Sequence, residues 1–390
     1  MSICETINQL EQAYHADFVQ LSRDIWSHPE LGHEEHHAVA VFTEYLERQG
    51  FSVTRNYMDI PTAFRAEYDT GRPGAVIGFL SEYDALPQVG HGCGHNLIGT
   101  IGVGSGVILS KLMEHTGGKV IVFGCPAEET SGAKVKMSEL GCFDELDAAM
   151  MAHPESKYYK SGVSLAMEAL RFEYFGKATH AATSPQDGIN ALEGVIQLFV
   201  NINGLRQHIL PSARIHGVIR NGGVAPNIVP DYASAEFHIR ATSKEYLEEL
   251  SRKVRNCAQA SALSTGTRVE ISNYEESYYD LRTNQNLSAQ VTENLHLFGV
   301  EEINEPRKSF GSIDMGNVSH RCPGIHPYFP IVDHGYVTAH SKDFAAAAVT
   351  DYAHEQMGLV IKSFAKTGYD ILTDQDLRSR IRQEFAGQTV

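Results

Sequence analysis

The chain has 390 residues, of which 42% are hydrophobic, and its formal net charge is −16. A single hydrophobic core usually stops growing below this length, so two domains are expected. The acidic balance argues against nucleic acid as a partner, because binding to phosphate groups needs a basic face. The six cysteines are widely scattered, which favours free thiols over a disulfide framework.

Nothing in the sequence indicates export or membrane insertion. No apolar run approaches the roughly 18 residues that span a bilayer. The first residues, MSICETINQLEQ, lack the basic and then apolar pattern of a signal peptide. We therefore expect a cytoplasmic protein without a membrane partner.

The first half of the chain predicts helices that cover a sheet. Apolar residues recur at three- and four-residue steps from Ile7 to Ile25, and again from Ala38 to Leu46, which indicates two amphipathic helices. Three continuous apolar runs follow: GAVIGFL (74–80), KVIVFGC (119–125) and LDAAMMA (146–152). Such runs, alternating with helices, are typical of an α/β fold with a mainly parallel sheet flanked by helices.

Each apolar run leads into titratable residues. Glu82 and Asp84 follow the first run, Glu128 and Glu129 follow the second, and His153 follows the third. In parallel sheets the functional groups gather at the carboxyl ends of the strands. We therefore expect these side chains to share one crevice.

The pattern changes at about residue 165. Strand-like segments and two helical stretches (189–207 and 243–262) follow in the order strand, helix, strand, strand, helix, strand. This is the order of a ferredoxin-like unit. We therefore predict a catalytic domain in two parts, 1–164 and 281–390, with an inserted α+β domain at 165–280.

The stretch VGHGCGHN (89–96) places a cysteine and two histidines among glycines. The glycines let the backbone fold tightly around a ligand, and Cys93 and His95 are spaced so that both side chains can point the same way. Taken alone, a buried thiol beside a chance histidine explains the pair equally well. His91 fits a histidine bonded to the loop backbone at least as well as a third ligand.

The neighbouring carboxylates Glu128 and Glu129 favour a metal site. Two carboxylates at one strand end repel each other unless cations are near, and one can bind metal while the other handles protons. The chain then offers five candidate ligands: Cys93, His95, Glu129, His153 and His340. Five are too many for one tetrahedral zinc ion with an open position, but they fit two ions with a shared ligand. Thiolate with imidazole suits Zn²⁺, with Mn²⁺ as the alternative.

Six motifs carry a resemblance to a known family. They are, in order, DALPQVGHGCGHN, PAEET, MMAHP, GKATHAA, GGVAPNIVPD and TAHSKDF. In this order they resemble the amidohydrolase branch of the di-metal aminoacylase and carboxypeptidase family, which includes hippurate, auxin-conjugate and aminobenzoyl-glutamate hydrolases. The likeness spans about residues 24–345, and GSIDMGNVSH (311–320) is similar to the aminobenzoyl-glutamate hydrolases and dipeptidase-like members. It implies a phosphorylase/hydrolase-like catalytic domain with an inserted lid or dimerisation domain.

The resemblance implies a role for each matching residue. It makes the five candidate ligands hold two divalent ions per subunit and makes Glu128 the general base. It implies substrate contacts for His180, Asn227 and Arg240, with Arg240 facing a substrate carboxylate and His180 reaching the site of a partner subunit. A homodimer or a dimer of dimers is therefore expected.

Two positions depart from the family pattern. Related peptidases have His-x-Asp where this chain has Glu82 and Asp84. Asp84 can still orient a metal-bound histidine, whereas Glu82 as an additional ligand stays open. Many relatives have Ser-Glu-Asp where this chain has Ser-Ile-Asp, so the role of Asp314 also stays open.

Three functions compete at this point. The first is hydrolysis of a small amide with a free carboxylate, such as an N-acyl amino acid, a dipeptide or an aminobenzoyl-glutamate-like conjugate. Metal-activated water would attack, with Glu128 as base and His180 as donor to the oxyanion. The second is a hydrolase with Cys93 as nucleophile, activated by His95 or His91. The third is a non-catalytic binding protein stabilised by metal.

Overall fold

The computed structural model describes residues 2–307 and 311–388, and the structural statements below refer to these residues. Their contacts divide the chain into two compact units. The first unit holds residues 2–163, 281–307 and 314–388, and the second holds residues 164–280 and 311–313. The chain of the second unit therefore interrupts the chain of the first.

Strands occur in both units. In chain order they are β1 (Ser52–Arg55), β2 (Phe64–Asp69), β3 (Val76–Ser81), β4 (Lys119–Gly124), β5 (Ala148–Met150), β6 (His153–Glu155), β7 (Ala166–Phe175), β8 (Arg214–Asn221), β9 (Tyr232–Ala241), β10 (Arg268–Asn273), β11 (Gly324–Ile325) and β12 (Tyr328–Pro330). The helices are α1 (Ile3–Ser27), α2 (His36–Arg48), α3 (His95–Leu112), α4 (Ala133–Glu139), α5 (Ala191–Leu205), α6 (Lys244–Thr265), α7 (Gln285–Leu297), α8 (Met315–Ser319), α9 (Lys342–Ala347), α10 (Asp351–Thr373) and α11 (Gln375–Gln388).

The main sheet of the first unit has the strand order β1-β2-β4-β3-β5-β11. β4, β3, β5 and β11 are parallel neighbours, and β1 and β2 add an antiparallel edge. The predicted mainly parallel sheet flanked by helices is confirmed, and β3 and β4 are buried along almost their whole length. β11, which comes after the second unit in the chain, adds a parallel strand next to β5. The part of the chain after residue 281 therefore contributes to the main sheet.

The third predicted strand is shorter than the apolar run suggests. β5 covers only Ala148–Met150, and His153 begins the separate strand β6. β6 pairs with β12 in a two-stranded sheet of its own. The expectation that His153 follows directly on the main-sheet strand is therefore wrong, because the chain leaves that sheet after Met150.

The two predicted amphipathic helices at the start of the chain are confirmed as α1 and α2. α1 begins with a capping box, in which the Ser2 side chain accepts from the Glu5 backbone and the Glu5 side chain accepts from the Ser2 backbone. Its buried face includes Ile7, Phe18 and Ile25, which belong to the hydrophobic core of the first unit.

One helical segment, His95–His115, is long and apolar enough to cross a membrane by length and composition. The sequence expectation that no run approaches this length is therefore wrong. Of the apolar window, 89% is buried inside the protein. Glycines let this helix approach the sheet closely, since a Cβ at Gly102 would lie 2.2 Å from Ser81 Oγ. This is the packing of a core helix.

The second unit is an antiparallel sheet of order β10-β7-β9-β8. Helices α5 and α6 pack on it, and Phe172 and Phe237 are fully buried in its core. Numbered within the unit, the strand order is 4-1-3-2, which is that of the predicted ferredoxin-like unit. The second half of β9 alternates as a half-buried strand does, because Phe237 and Ile239 are buried while Glu236, His238 and Arg240 are partly exposed.

Candidate metal centre

The structure brings the predicted ligands of the first unit together at the strand ends. Asp84 follows β3, Glu129 follows β4 and His153 begins β6. Cys93 lies in the loop before α3, and His95 is the first residue of that helix. His340 arrives from the segment before α9, where its backbone N–H donates to the Gly92 carbonyl at 2.8 Å.

Cys93 belongs to two overlapping groups of potential metal ligands. Cys93, His95 and His153 have ligand atoms within 4.8 Å of one another, and so do Cys93, Glu129 and His340. The two groups together contain the five predicted ligands, and Cys93 is common to both. This geometry suits two ions that share the thiolate.

Asp84 fixes the orientation of His95. Asp84 Oδ1 accepts from His95 Nδ1 at 2.9 Å, and Asp84 Oδ2 accepts from the Glu129 backbone N–H at 3.0 Å. With its proton on Nδ1, the neutral imidazole presents the lone pair of Nε2 to the centre. His95 Nε2 is buried without a hydrogen-bond partner among the described residues and lies 3.6 Å from Glu82 and 4.0 Å from Glu129. A metal ion would satisfy this nitrogen.

His153 is held in a complementary way. Its Nδ1 donates to the Pro154 carbonyl at 2.7 Å, and its Nε2 lies 3.4 Å from Cys93 Sγ. Burial and the charge of His95 lower the pKa of His153, which favours the neutral imidazole that binds metals. Because Nδ1 carries the proton, the Cys93 thiol is placed to donate to His153 Nε2.

The backbone is strained at two points of the centre. Ala127, just before the acidic pair, has φ +59°, and His340 has φ +63°. Non-glycine residues adopt this left-handed region at an energetic cost and are enriched at functional sites. At Ala127 the strain accompanies a tight turn, in which the Ala127 carbonyl accepts from Gly132 at 2.7 Å.

The electrostatics of the centre are those of a cation site. Burial alone lowers the pKa of His95, but Asp84, Cys93 and Glu82 outweigh it and raise the pKa well above its usual value. Burial raises the pKa of Glu129, but the contact with His340 at 3.1 Å and the charge of His95 lower it to about 2. The buried carboxylates thus give the centre a negative potential that attracts a cation.

Glu128 differs from Glu129. Burial raises its pKa well above the usual range, and the charges of Glu82 and Asp314 raise it further. Two adjacent carboxyl groups whose environments push their pKa values apart are suited to different tasks. Glu129 is suited to be a charged ligand, and Glu128 is the group suited to carry a proton.

Sequence reasoning missed Lys134, which is fully buried behind the acidic pair. Its Nζ donates to Glu82 Oε1 at 2.5 Å and to Asp314 Oδ1 at 2.7 Å. The two positions left open by the sequence, Glu82 and Asp314, are therefore partners of one ammonium group. The sequence signal was the excess of negative charge, since Glu82, Asp84, Glu128 and Glu129 were all predicted to share one crevice.

Two further histidines lie near the centre. His91 Nε2 donates to the Ile25 carbonyl at 3.0 Å, and burial lowers the pKa of His91 to about 4. This is the backbone-bonded loop histidine considered from the sequence. His326, which sequence reasoning missed, is 2% exposed, and its ring centroid lies 5.6 Å from that of His153.

The remaining predicted site residues, His180, Asn227 and Arg240, belong to the second unit. An antiparallel bridge between His180 and Ile228 places His180 beside Asn227, whose carbonyl accepts from Ala181 at 3.0 Å. His180 Nδ1 accepts from the backbone N–H groups of residues 182 and 183, both at 3.2 Å. The neutral His180 imidazole therefore carries its proton on Nε2, as a donor must. Arg240, on β9, donates to Ser312 Oγ at 3.3 Å.

Comparison with known proteins agrees with this fold and centre. A family model described as a peptidase dimerisation domain matches residues 169–265. The human protein named Xaa-Arg dipeptidase is 38% identical over 386 residues, with coverage of 94% of this chain and 88% of that protein. One of the proteins that form the p-aminobenzoyl-glutamate hydrolase of Escherichia coli is 29% identical over 454 residues, with coverage of 96% and 94%.

A solved structure from Bacillus subtilis, described as a dinuclear metal-binding peptidase of the M20 family, has the same fold. Its TM-score is 0.65 at 20% sequence identity, with coverage of 90% of this chain and 99% of that one. The chain belongs to the M20 peptidase family. It is accordingly a hydrolase of amide or peptide bonds.

Family membership removes the non-catalytic alternative, which was wrong. The Cys93 nucleophile alternative also loses its physical basis. Burial raises the pKa of the Cys93 thiol, whereas a nucleophilic cysteine needs a lowered pKa. His91 is bonded to Ile25 instead, and the thiol faces a second candidate ligand, His153.

Proposed function

We propose that two divalent ions, Zn²⁺ or Mn²⁺, bind to Cys93, His95, Glu129, His153 and His340. The observation that carries the proposal is the pair of ligand groups that share Cys93, each within 4.8 Å. The buried His95 Nε2, aimed between two carboxylates, supports it. When bound, the ions would supply Lewis acidity towards the amide carbonyl and lower the pKa of a water molecule.

Glu128 handles the proton in this proposal. Its carboxylate accepts a proton from the attacking water and returns that proton to the departing amine. The position of Glu128 supports the role, because its carboxylate lies with candidate ligand atoms of His95 and Glu129 in one group within 4.8 Å. Asp84 holds His95 in the tautomer that leaves Nε2 available.

We also propose that His180, Asn227 and Arg240 contact substrate. His180 Nε2–H, set by the two N–H groups that bond Nδ1, is a donor suited to an oxyanion. Arg240 suits a substrate carboxylate. A homodimer or a dimer of dimers fits the match to a dimerisation domain and the exposed edge strand β8, where Val218 and Ile219 are 55% and 46% exposed.

The proposed substrates are small amides with a free carboxylate. Dipeptides with a C-terminal arginine come first, because of the name of the human relative and the net charge of −16, which favours cationic substrates. N-acyl amino acids and aminobenzoyl-glutamate conjugates follow. A cytoplasmic location is supported by the six free cysteines, four of them buried.

The test combines metal analysis with a substrate screen. The purified protein is stripped with a chelator and reloaded with Zn²⁺ or Mn²⁺, and hydrolysis of the three substrate types is followed by amine release. We expect activity to disappear on stripping and to return with about two ions per subunit. In Glu128→Gln we expect the metal content to persist while kcat falls by about 10²–10⁴-fold. Full activity in the stripped protein would refute the metal proposal.

A further inference from the structure

Lys134 is a fully enclosed charged residue near the centre. Its side chain is 0% exposed, and its two ion-pair partners, Glu82 and Asp314, are 1% and 0% exposed. Burying an ammonium group costs several kcal/mol unless paired groups compensate it. A lysine in such a position needs a reason beyond solubility or surface charge.

The carboxylates around Lys134 have the spacing of potential metal ligands. Glu82, Glu128 and Asp314 have carboxylate oxygens within 4.8 Å of one another. Three carboxylates at this spacing repel in the absence of a cation, and oxygen ligands of this kind suit hard divalent ions such as Mn²⁺ or Mg²⁺. In this protein the cation between Glu82 and Asp314 is the Lys134 ammonium.

The backbone positions Lys134 between Glu82 and Asp314. Lys134 is the second residue of α4, which starts after the turn that carries the acidic pair. Its backbone N–H points to Asp314 Oδ2 at 3.3 Å, and Asp314 itself precedes α8. Both ends of the ion pair are therefore held by helix starts, which limits the movement of the ammonium group.

We propose that Lys134 is a positioning residue whose ammonium takes the place of a metal ion in a third, latent site formed by Glu82, Glu128 and Asp314. It fixes the orientation of Glu82, whose Oε1 accepts from Lys134 while its Oε2 lies 3.6 Å from His95 Nε2. It also keeps Glu128 beside a fixed positive charge, in the orientation a proton carrier needs. The part that concerns Glu128 rests on the proposed function; the latent metal site does not.

The first experiment removes the cation and leaves room for an ion. Lys134→Ala is saturated with Mn²⁺, desalted and analysed for metal and protein. We expect about one Mn²⁺ per subunit more than in the wild-type protein. Lys134→Ala with Asp314→Asn should lose this extra ion, because one of its three carboxylates is gone. An unchanged Mn²⁺ count in Lys134→Ala would overturn the latent site.

A matched control lies on the same helix. Lys136 is 58% exposed and lies 3.6 Å from Glu139 in a surface ion pair. Lys136→Ala makes the same chemical change two residues away, where the carboxylate is solvated. It should leave both the Mn²⁺ count and kcat at wild-type values, and a gain of Mn²⁺ there would show that removal of any lysine gives the effect.

The second experiment separates positioning from folding. Lys134→Met keeps most of the volume but leaves two buried carboxylates uncompensated, so it is expected to be less stable. Adding Asp314→Asn relieves part of that charge and keeps the test usable if the single variant does not fold. We expect the double variant to recover thermal stability while kcat stays at least about 100-fold down and KM changes less than about threefold. Recovery of kcat together with stability would mean that Lys134 only neutralises charge, and would overturn the positioning role.

The two proposals fail in distinguishable ways. If Glu128→Gln keeps wild-type kcat, the proposed base is refuted, while the Mn²⁺ count of Lys134→Ala still decides the latent site. If Glu128→Gln is inactive but the Lys134 variants keep kcat, the base stands and its positioning by Lys134 is refuted.

Discussion

Replacing Asp84 with asparagine tests how the chain prepares its metal centre. Asp84 uses both carboxylate oxygens, one for His95 Nδ1 at 2.9 Å and one for the Glu129 backbone at 3.0 Å. Asparagine has the same shape but only one acceptor oxygen. One of the two N–H donors must then face an NH₂ group in a site where Asp84 is 1% exposed.

The expected loss follows from that mismatch. A buried donor left without its acceptor costs about 1–3 kcal/mol. Loss of a carboxylate behind a metal-binding histidine weakens metal affinity by about 10–100-fold, which is about 1.4–2.7 kcal/mol. The two free energies agree in size because both describe the loss of the contact between Asp84 and His95. If the asparagine NH₂ faces His95, the imidazole proton moves to Nε2, the nitrogen that is proposed to bind the metal.

The assay is equilibrium competition for Zn²⁺ with a chromophoric chelator at fixed pH. Asp333→Asn is the control, since Asp333 lies 3.3 Å from His334 in an exposed Asp–His pair and should not change affinity. Zn²⁺ affinity of Asp84→Asn within about threefold of wild type would refute the reasoning that Asp84 sets the His95 tautomer.

Three further outcomes are expected. Gly94→Ala should destabilise the protein and weaken metal binding, because Gly94 has φ +74° just before His95 and a Cβ there would lie 2.7 Å from Pro154 Cγ; thermal unfolding and metal titration check this, and unchanged values would contradict it. Burial and the Arg23 charge lower the pKa of His354 to about 4 in the folded protein. As pH falls from 6.5 towards 4, His354 is protonated in the unfolded chain but not in the folded one, so the free energy of unfolding decreases. The free energy of unfolding, measured with urea, should therefore fall between about pH 7.5 and 4.5 by about 2–3 kcal/mol more in the wild-type protein than in His354→Met. Equal falls in the two proteins would contradict this. Phe237→Ala, in the core of the second unit, should cost about 3–5 kcal/mol and lower the dimer fraction in sedimentation before it changes metal content; a well-folded dimer would argue against the proposed assembly.

Much of the centre could be predicted from local patterns. The apolar runs that form β3 and β4 are buried on both faces. The titratable residues that follow these parallel strands therefore lie at the same edge of the sheet. The same logic placed His153 correctly in space but on the wrong strand. The apolar run 146–152 contains no residue that marks the end of the short strand β5, so the break before β6 could not be seen in the sequence.

Lys134 could not be found in this way. On a short helix with Lys136 nearby, it has the local pattern of a solvated lysine, and the two residues differ only in what they meet in the folded protein. Asp314, its partner, is 180 positions further along the chain. Burial of a charge is decided by such distant contacts, which no local periodicity reports. The apolar helix α3 shows the same limit, since composition alone does not distinguish a membrane span from a core helix.

The interruption of the first unit by the second has a consequence for synthesis of the protein. Cys93, His95, Glu129 and His153 leave the ribosome before the inserted unit, whereas Asp314 and His340 leave it afterwards. During translation the four early candidate ligands are therefore present without His340 while the whole second unit is made and can fold. The proposed centre therefore stays incomplete in the nascent chain, and we expect a product truncated before residue 340 to lack hydrolase activity.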